Sequence, residues 1–175
     1  MVLNLFSVLS FLFQRLFLTK VQIARKQGVS IGENTSIQKV SFGSEPYLVS
    51  IGKNCQITDG VKFFTHGGAH IFRQQCSRFD YFGKIIIGDN VYIGNNVLLM
   101  PGVTIGNNVM IGAGSVVSKS IPDNCVVAGV PARVIRDIDS YYNSIQQFNT
   151  NTYGLGKKEK KAILMSLSES NFITK

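Results

Sequence analysis

The chain's only two histidines, His66 and His70, share one short glycine-rich stretch, Thr65-His66-Gly67-Gly68-Ala69-His70. Imidazole changes charge near neutral pH, so it can take a proton from a poor nucleophile and hand it on. A lone histidine is usually structural; two in a loop that breaks a regular pattern tip the balance toward chemistry. From the residues alone either could be that base; His70 reads more readily as a loop residue than as a substrate contact. The candidate carboxylate is Glu45, in Ser44-Glu45-Pro46, within a second irregular stretch. Orienting the base, holding a substrate and merely sitting in solvent all stay open for it. Cys55, Cys76 and Cys125 show no CxxC or Cys/His spacing, which argues for a reduced, cytoplasmic setting. A net charge of +8 points to an anionic partner, a phosphorylated small molecule or a membrane surface. No Lys/Arg run is interleaved with aromatic residues, so nucleic acid is the weakest of these options.

Side chains in loops need a rigid support, and the sequence supplies one. Every sixth residue from Ile87 to Val117 is a branched aliphatic: Ile87, Ile93, Leu99, Ile105, Ile111 and Val117. Gly88, Gly94, Gly106 and Gly112 follow four of them. This is the hexapeptide period of a parallel β-helix. Six is a multiple of two, so the aliphatic points to the same side of every strand. Three hexads wrap one turn of a triangular prism, whose interior the aliphatics fill. The Gly-Asx pairs fit the corners, where φ can turn positive. Earlier hexads begin at Ile31, Ile37, Ile51, Ile57 and Phe63, interrupted at about 41–48 and again at 64–84. About four coils are expected, stacked at roughly 4.8 Å each.

The outer segments differ. Residues 1–27 carry an apolar stretch with Arg15 inside it, too short for a bilayer span and without the basic leader of a signal peptide. A helix is expected there. It packs on the prism end or between subunits, or else docks peripherally on a membrane with Arg15, Lys20, Arg25 and Lys26 at the headgroups. Residues 28–137 form the β-helix domain. In the tail, 138–175, Tyr141–Phe148 and Lys157–Leu167 read as helices.

The hexads, the FFTHGG stretch, the run IGDNVYIGNNVLLMPGVTIGNNVMIGAGSVVSKSIP and the ending AGVPARVIR together resemble the hexapeptide-repeat O-acetyltransferases. That family includes maltose, galactoside and serine acetyltransferases. FGSEPYL combined with THGG is most similar to its capsule and exopolysaccharide-cluster branch. The resemblance implies an all-β, left-handed parallel β-helix, an exception to the usual right-handed crossover. It also implies a protruding loop, a homotrimer with active sites between subunits, and acetyl-coenzyme A as co-substrate without metal. His66 matches the family's general base. Asn95, Gly112, Ala113, Ser118, Lys119, Arg133 and Arg136 match positions that hold coenzyme A, the cations suiting its phosphates. Gly67 stands where this branch more often carries aspartate, so no acidic partner is expected beside the histidine in sequence.

The implied activity is transfer of acetyl to a hydroxyl of a sugar or polysaccharide precursor. N-acetylation of an amino-sugar nucleotide uses the same base and donor and stays open. A non-catalytic β-helix scaffold would leave Thr65-His66 and Ser118-Lys119 idle. The related prism of zinc carbonic anhydrases needs three histidines per site, and this chain has two.

Overall fold

A computed structural model describes residues 18–174 of the chain. Most of the apolar segment expected over 1–27 therefore lies outside the described residues. Its end forms α1 (Lys20–Lys26), a seven-residue helix started by a Thr19–Gln22 capping box. Arg25 then donates to the carbonyl of Ile31 at 2.7 Å, tying the helix to the first coil. Among the described residues no helix is long and apolar enough to cross a membrane.

The body is a parallel β-helix with three faces. On the first, β1 (Ser30–Ile31), β3 (Val49–Ile51), β6 (Ile85–Ile87) and β9 (Thr104–Ile105) stack in parallel. The second holds β2 (Ser36–Ile37), β4 (Gln56–Ile57), β7 (Tyr92–Ile93), β10 (Met110–Ile111) and β12 (Cys125–Gly129). The third holds β5 (Lys62–Phe63), β8 (Leu98–Leu99) and β11 (Val116–Val117). Every hexad aliphatic is paired with its equivalent one coil away, as Ile57 with Ile93 and Phe63 with Leu99.

The coil continues past Val117, where the six-residue period ends. Ile121 bridges to Ile105 and Val127 pairs with Ile111, adding two faces of a fifth coil to the four expected. Its first corner is two residues shorter than the others, and that breaks the period in the sequence. The chain then doubles back: β13 (Ala132–Asp137) pairs antiparallel with β12 and covers the open edge of the second face. Asp137 caps α2 (Ile138–Ile145), accepting from the Ser140 amide at 2.8 Å, and α3 (Lys157–Ser166) follows. The helix at 138 starts three residues before the expected Tyr141, at this aspartate cap, and gives way to a 3-10 turn over Gln146–Phe148.

The interior is two ladders per face. Beside the hexad aliphatics, the residues two positions earlier also point inward, and Val91, Val97, Val103 and Val109 are all buried. The positive φ expected at the Gly-Asx-Asn corners is found there. The left-handed residue is the asparagine after each Gly-Asx pair, with φ of 57° at Asn90, 58° at Asn96 and 53° at Asn108. Glycine is needed there for closeness instead. A Cβ on Gly88 would stand 2.7 Å from Asn107 Oδ1 and 2.8 Å from the Gly106 backbone, below any real contact. Asparagine tolerates the αL region better than other side chains. It also links the coils, Asn90 donating to Asn108 and Asn108 to Asn124, each at 2.8 Å.

Candidate active site

The two interruptions of the hexad pattern meet at the corner after the third face. The 64–84 excursion leaves and re-enters the coil at one neck, where the Gly83 amide donates to the Thr65 carbonyl at 2.7 Å and His66 bridges to Phe82. One coil below, Ser41 bridges to Lys62, and Phe42 stacks on Phe63 with ring centroids 4.9 Å apart. That seat brings Glu45, at the start of the Pro46–Leu48 turn, beside the neck.

There Glu45 Oε2 accepts two hydrogen bonds of 2.7 Å, one from Thr65 Oγ1 and one from His66 Nδ1. Thr65 is fully buried and Glu45 largely so, while the imidazole is 40% exposed. The Thr65 hydroxyl is the main cause of a lowered Glu45 pKa; partial burial opposes it, and bonds from Ser44 and His66 add to the lowering. Glu45 is therefore a carboxylate at neutral pH and has no proton to give. His66 Nδ1 must be the donor, so that in the neutral ring the lone pair is on Nε2. The ring is further fixed edge-on to Phe82, with centroids 5.4 Å apart. Beside it lies an open cavity of about 500 Å³, walled by Phe64, Leu98, Met100 and Pro101 and carrying Tyr81 with His66. A histidine held by a half-buried carboxylate, its second nitrogen unbonded among the described residues, is arranged to accept a proton.

His70 stands apart. It is exposed within the Ala69–Phe72 turn, and its carbonyl accepts from the Arg73 amide. Thr65 went unassigned in the sequence, although a threonine directly before the candidate base was its one signal. Phe64, Tyr81 and Phe82 were also missed, because aromatic residues in a loop carry no spacing signature.

The expected coenzyme-binding residues fall into three places. Asn95, Gly112, Ala113 and Arg133 run along the corner between the second and third faces. The Gly114 amide donates to the Asn95 carbonyl at 2.8 Å, and a Cβ on Gly94 would come within 2.6 Å of the Ala113 nitrogen. A Cβ on Gly112 would come within 2.9 Å of Ala128 Cβ, and Ala128 pairs with Arg133 across β12 and β13. Ser118 and Lys119 lie at the other edge of the third face, following β11 as Met100 and Pro101 follow β8. They therefore share the corner of His66. Arg136 is at the far end of β13, where Nη1 donates to Ser144 Oγ at 3.3 Å and the guanidinium lies over the Tyr141 ring. Among the described residues no group of three His, Cys, Asp or Glu side chains could hold a metal ion. Cys55 and Cys125 are buried, and burial pushes both thiols up.

The family model "Bacterial transferase hexapeptide (six repeats)" matches residues 84–119, the stretch from β6 to the residues after β11. Protein CapG of Staphylococcus aureus is 47% identical over 151 residues, covering 84% of this chain and 88% of CapG. Galactoside O-acetyltransferase of Escherichia coli K12 is 46% identical over 97 residues, 54% of this chain. The match spans 47% of that relative's own length, about half. A solved galactoside acetyltransferase in complex with coenzyme A superposes with a TM-score of 0.54 at 32% identity, covering 77% of this chain and 80% of that one.

Proposed function

Because the chain belongs to the hexapeptide-repeat acetyltransferase family, it is an acyltransferase, and we propose that it moves an acetyl group from acetyl-coenzyme A to a hydroxyl of a sugar or polysaccharide precursor. One observation carries this reading: His66 Nδ1 donates to a Glu45 carboxylate that Thr65 also holds. That arrangement sets the tautomer a general base needs.

The reaction follows from it. The acceptor hydroxyl gives its proton to His66 Nε2 as its oxygen bonds to the thioester carbonyl carbon. The resulting imidazolium is stabilised by the Glu45 carboxylate. As the C–S bond breaks, the coenzyme A sulfur leaves and takes the proton back from Nε2. A thioester is already activated, so no acyl-enzyme is required.

Donor binding is assigned to Asn95, Gly112, Ala113 and Arg133, which share one corner and offer backbone groups to a pantetheine arm and a cation to a phosphate. Ser118 and Lys119 belong to the same function from the neighbouring corner. Since the two corners bound opposite edges of the third face, a homotrimer of left-handed prisms would let the Asn95 corner of one copy face the His66 corner of the next. The 64–84 loop would then protrude over the shared site.

Thiol release from acetyl-coenzyme A, measured across sugars, nucleotide sugars and oligosaccharide repeat units, tests the reading. Hydroxyl-dependent release that is lost in His66→Ala is the expected result. Release only with amino sugars would make the chain an N-acetyltransferase. No release and no coenzyme A binding would leave a scaffold.

A further inference from the structure

The cavity beside His66 is far less polar than a fully hydroxylated sugar would require. Phe64, Leu98, Met100 and Pro101 form its wall, and its side-chain polar atoms are those of His66 and Tyr81. Phe64 is 38% exposed and Tyr81 44%, so both can be reached by a ligand. Tyr81 is held in place by its own loop. Its hydroxyl oxygen packs on Gly68, 3.1 Å from where a Cβ would stand, and Gly68 takes a left-handed φ of 76° there. The phenol thus lies against the backbone two residues after the base.

We propose that this cavity is the acceptor subsite and that it selects a deoxy sugar, a 6-deoxyhexose unit being the simplest form. The inference rests on the acetyltransferase reading above and deepens it. His66 takes the reacting hydroxyl and Tyr81 a second one. Once the neighbouring copy's Asn95 corner closes the open side, a further hydroxyl turned to the Phe64–Met100 wall would lose its water and gain no partner from that wall, which disfavours binding. A methyl group at that place loses nothing. An aromatic wall also accepts the C–H face of a pyranose ring by ordinary apolar contact.

The test uses the whole protein with acetyl-coenzyme A and matched methyl glycosides that differ only at C6. The pairs are fucoside with galactoside, rhamnoside with mannoside and quinovoside with glucoside. In at least one pair the 6-deoxy member should show a kcat/KM about 10- to 100-fold higher, the range in which an apolar pocket discriminates against an added hydroxyl. Phe64→Ser should collapse that ratio toward one. Tyr81→Phe should raise the acceptor KM about tenfold and leave the acetyl-coenzyme A KM unchanged. Circular dichroism melts identify any variant that simply fails to fold. Equal or better use of every hydroxymethyl sugar overturns the proposal. So does a rise confined to the acetyl-coenzyme A KM in Phe64→Ser, which would give the cavity to the donor arm. Absence of thiol release with every glycoside would instead remove the sugar acetyltransferase reading itself.

Discussion

Glu45→Gln keeps the size of the side chain and removes its charge. In the wild type one carboxylate oxygen accepts from both Thr65 Oγ1 and His66 Nδ1 at 2.7 Å. A glutamine amide has one accepting oxygen and a nitrogen that donates. If the nitrogen turns to His66, Nδ1 must accept, and the ring proton moves to Nε2, where it blocks proton uptake from the acceptor. If the oxygen stays, the tautomer survives but the imidazolium loses its counter-charge as the reaction proceeds. Charge-assisted hydrogen bonds are roughly twice as strong as neutral ones. Either way kcat falls. Removal of the base itself in His66→Ala sets the ceiling, a loss of about 10²–10⁴-fold. Glu45→Gln should therefore lose at least about tenfold and no more than His66→Ala, and the double variant should be no worse than His66→Ala alone. The assay is steady-state thiol release, with KM for acetyl-coenzyme A expected to stay within about twofold because that interaction is remote from the dyad. Full kcat in Glu45→Gln, or additive losses in the double variant, would refute a carboxylate acting through the histidine.

Glu45 titrates below the usual carboxylate range chiefly because Thr65 donates to it. A carboxyl pKa depressed in the folded state gives stability that is present above the carboxylate range and lost as pH falls through it, so Thr65→Val should melt below the wild type at neutral pH with the gap closing in acid, while Thr65→Ser keeps the wild-type melt. Ile105 is 1% exposed and the adjacent Thr104 is exposed, so Ile105→Asp should cost several kcal/mol and prevent soluble folding whereas Thr104→Asp should melt near the wild type. Similar melts for the two would place the hexad register one residue off. Asn96 holds a φ of 58°, so Asn96→Ala should lower stability by roughly 1–2 kcal/mol in denaturant titrations, with Asn96→Gly closer to neutral. Arg133 shares the Asn95 corner and Arg136 is engaged with Ser144, so Arg133→Ala should raise the KM for acetyl-coenzyme A more than Arg136→Ala does. A larger effect of Arg136→Ala would move the phosphate site to the other end of β13.

The parts of the fold written in the sequence are those that repeat. Ile87 through Val117 had to occupy equivalent places, because a period of six admits only one inward face, and the strands fall accordingly. The short corner before Ile121 hid a further partial coil, since dropping two residues removes the very periodicity that reveals the others. The site divides along the same line. A rare residue in a loop, His66, stood out by its chemistry. Glu45 lies 21 positions away, and only the stacking of one coil on the next brings it to the histidine. No spacing rule encodes that contact, because the two loops belong to different coils and meet through the Phe42–Phe63 stack beneath them. Thr65 was still less visible. Its hydroxyl matters because it is buried against a carboxylate, and burial of a single loop residue has no period. The prism therefore does more than support the site. By stacking irregular stretches at one corner, it turns two sequence interruptions into one hydrogen-bonded unit.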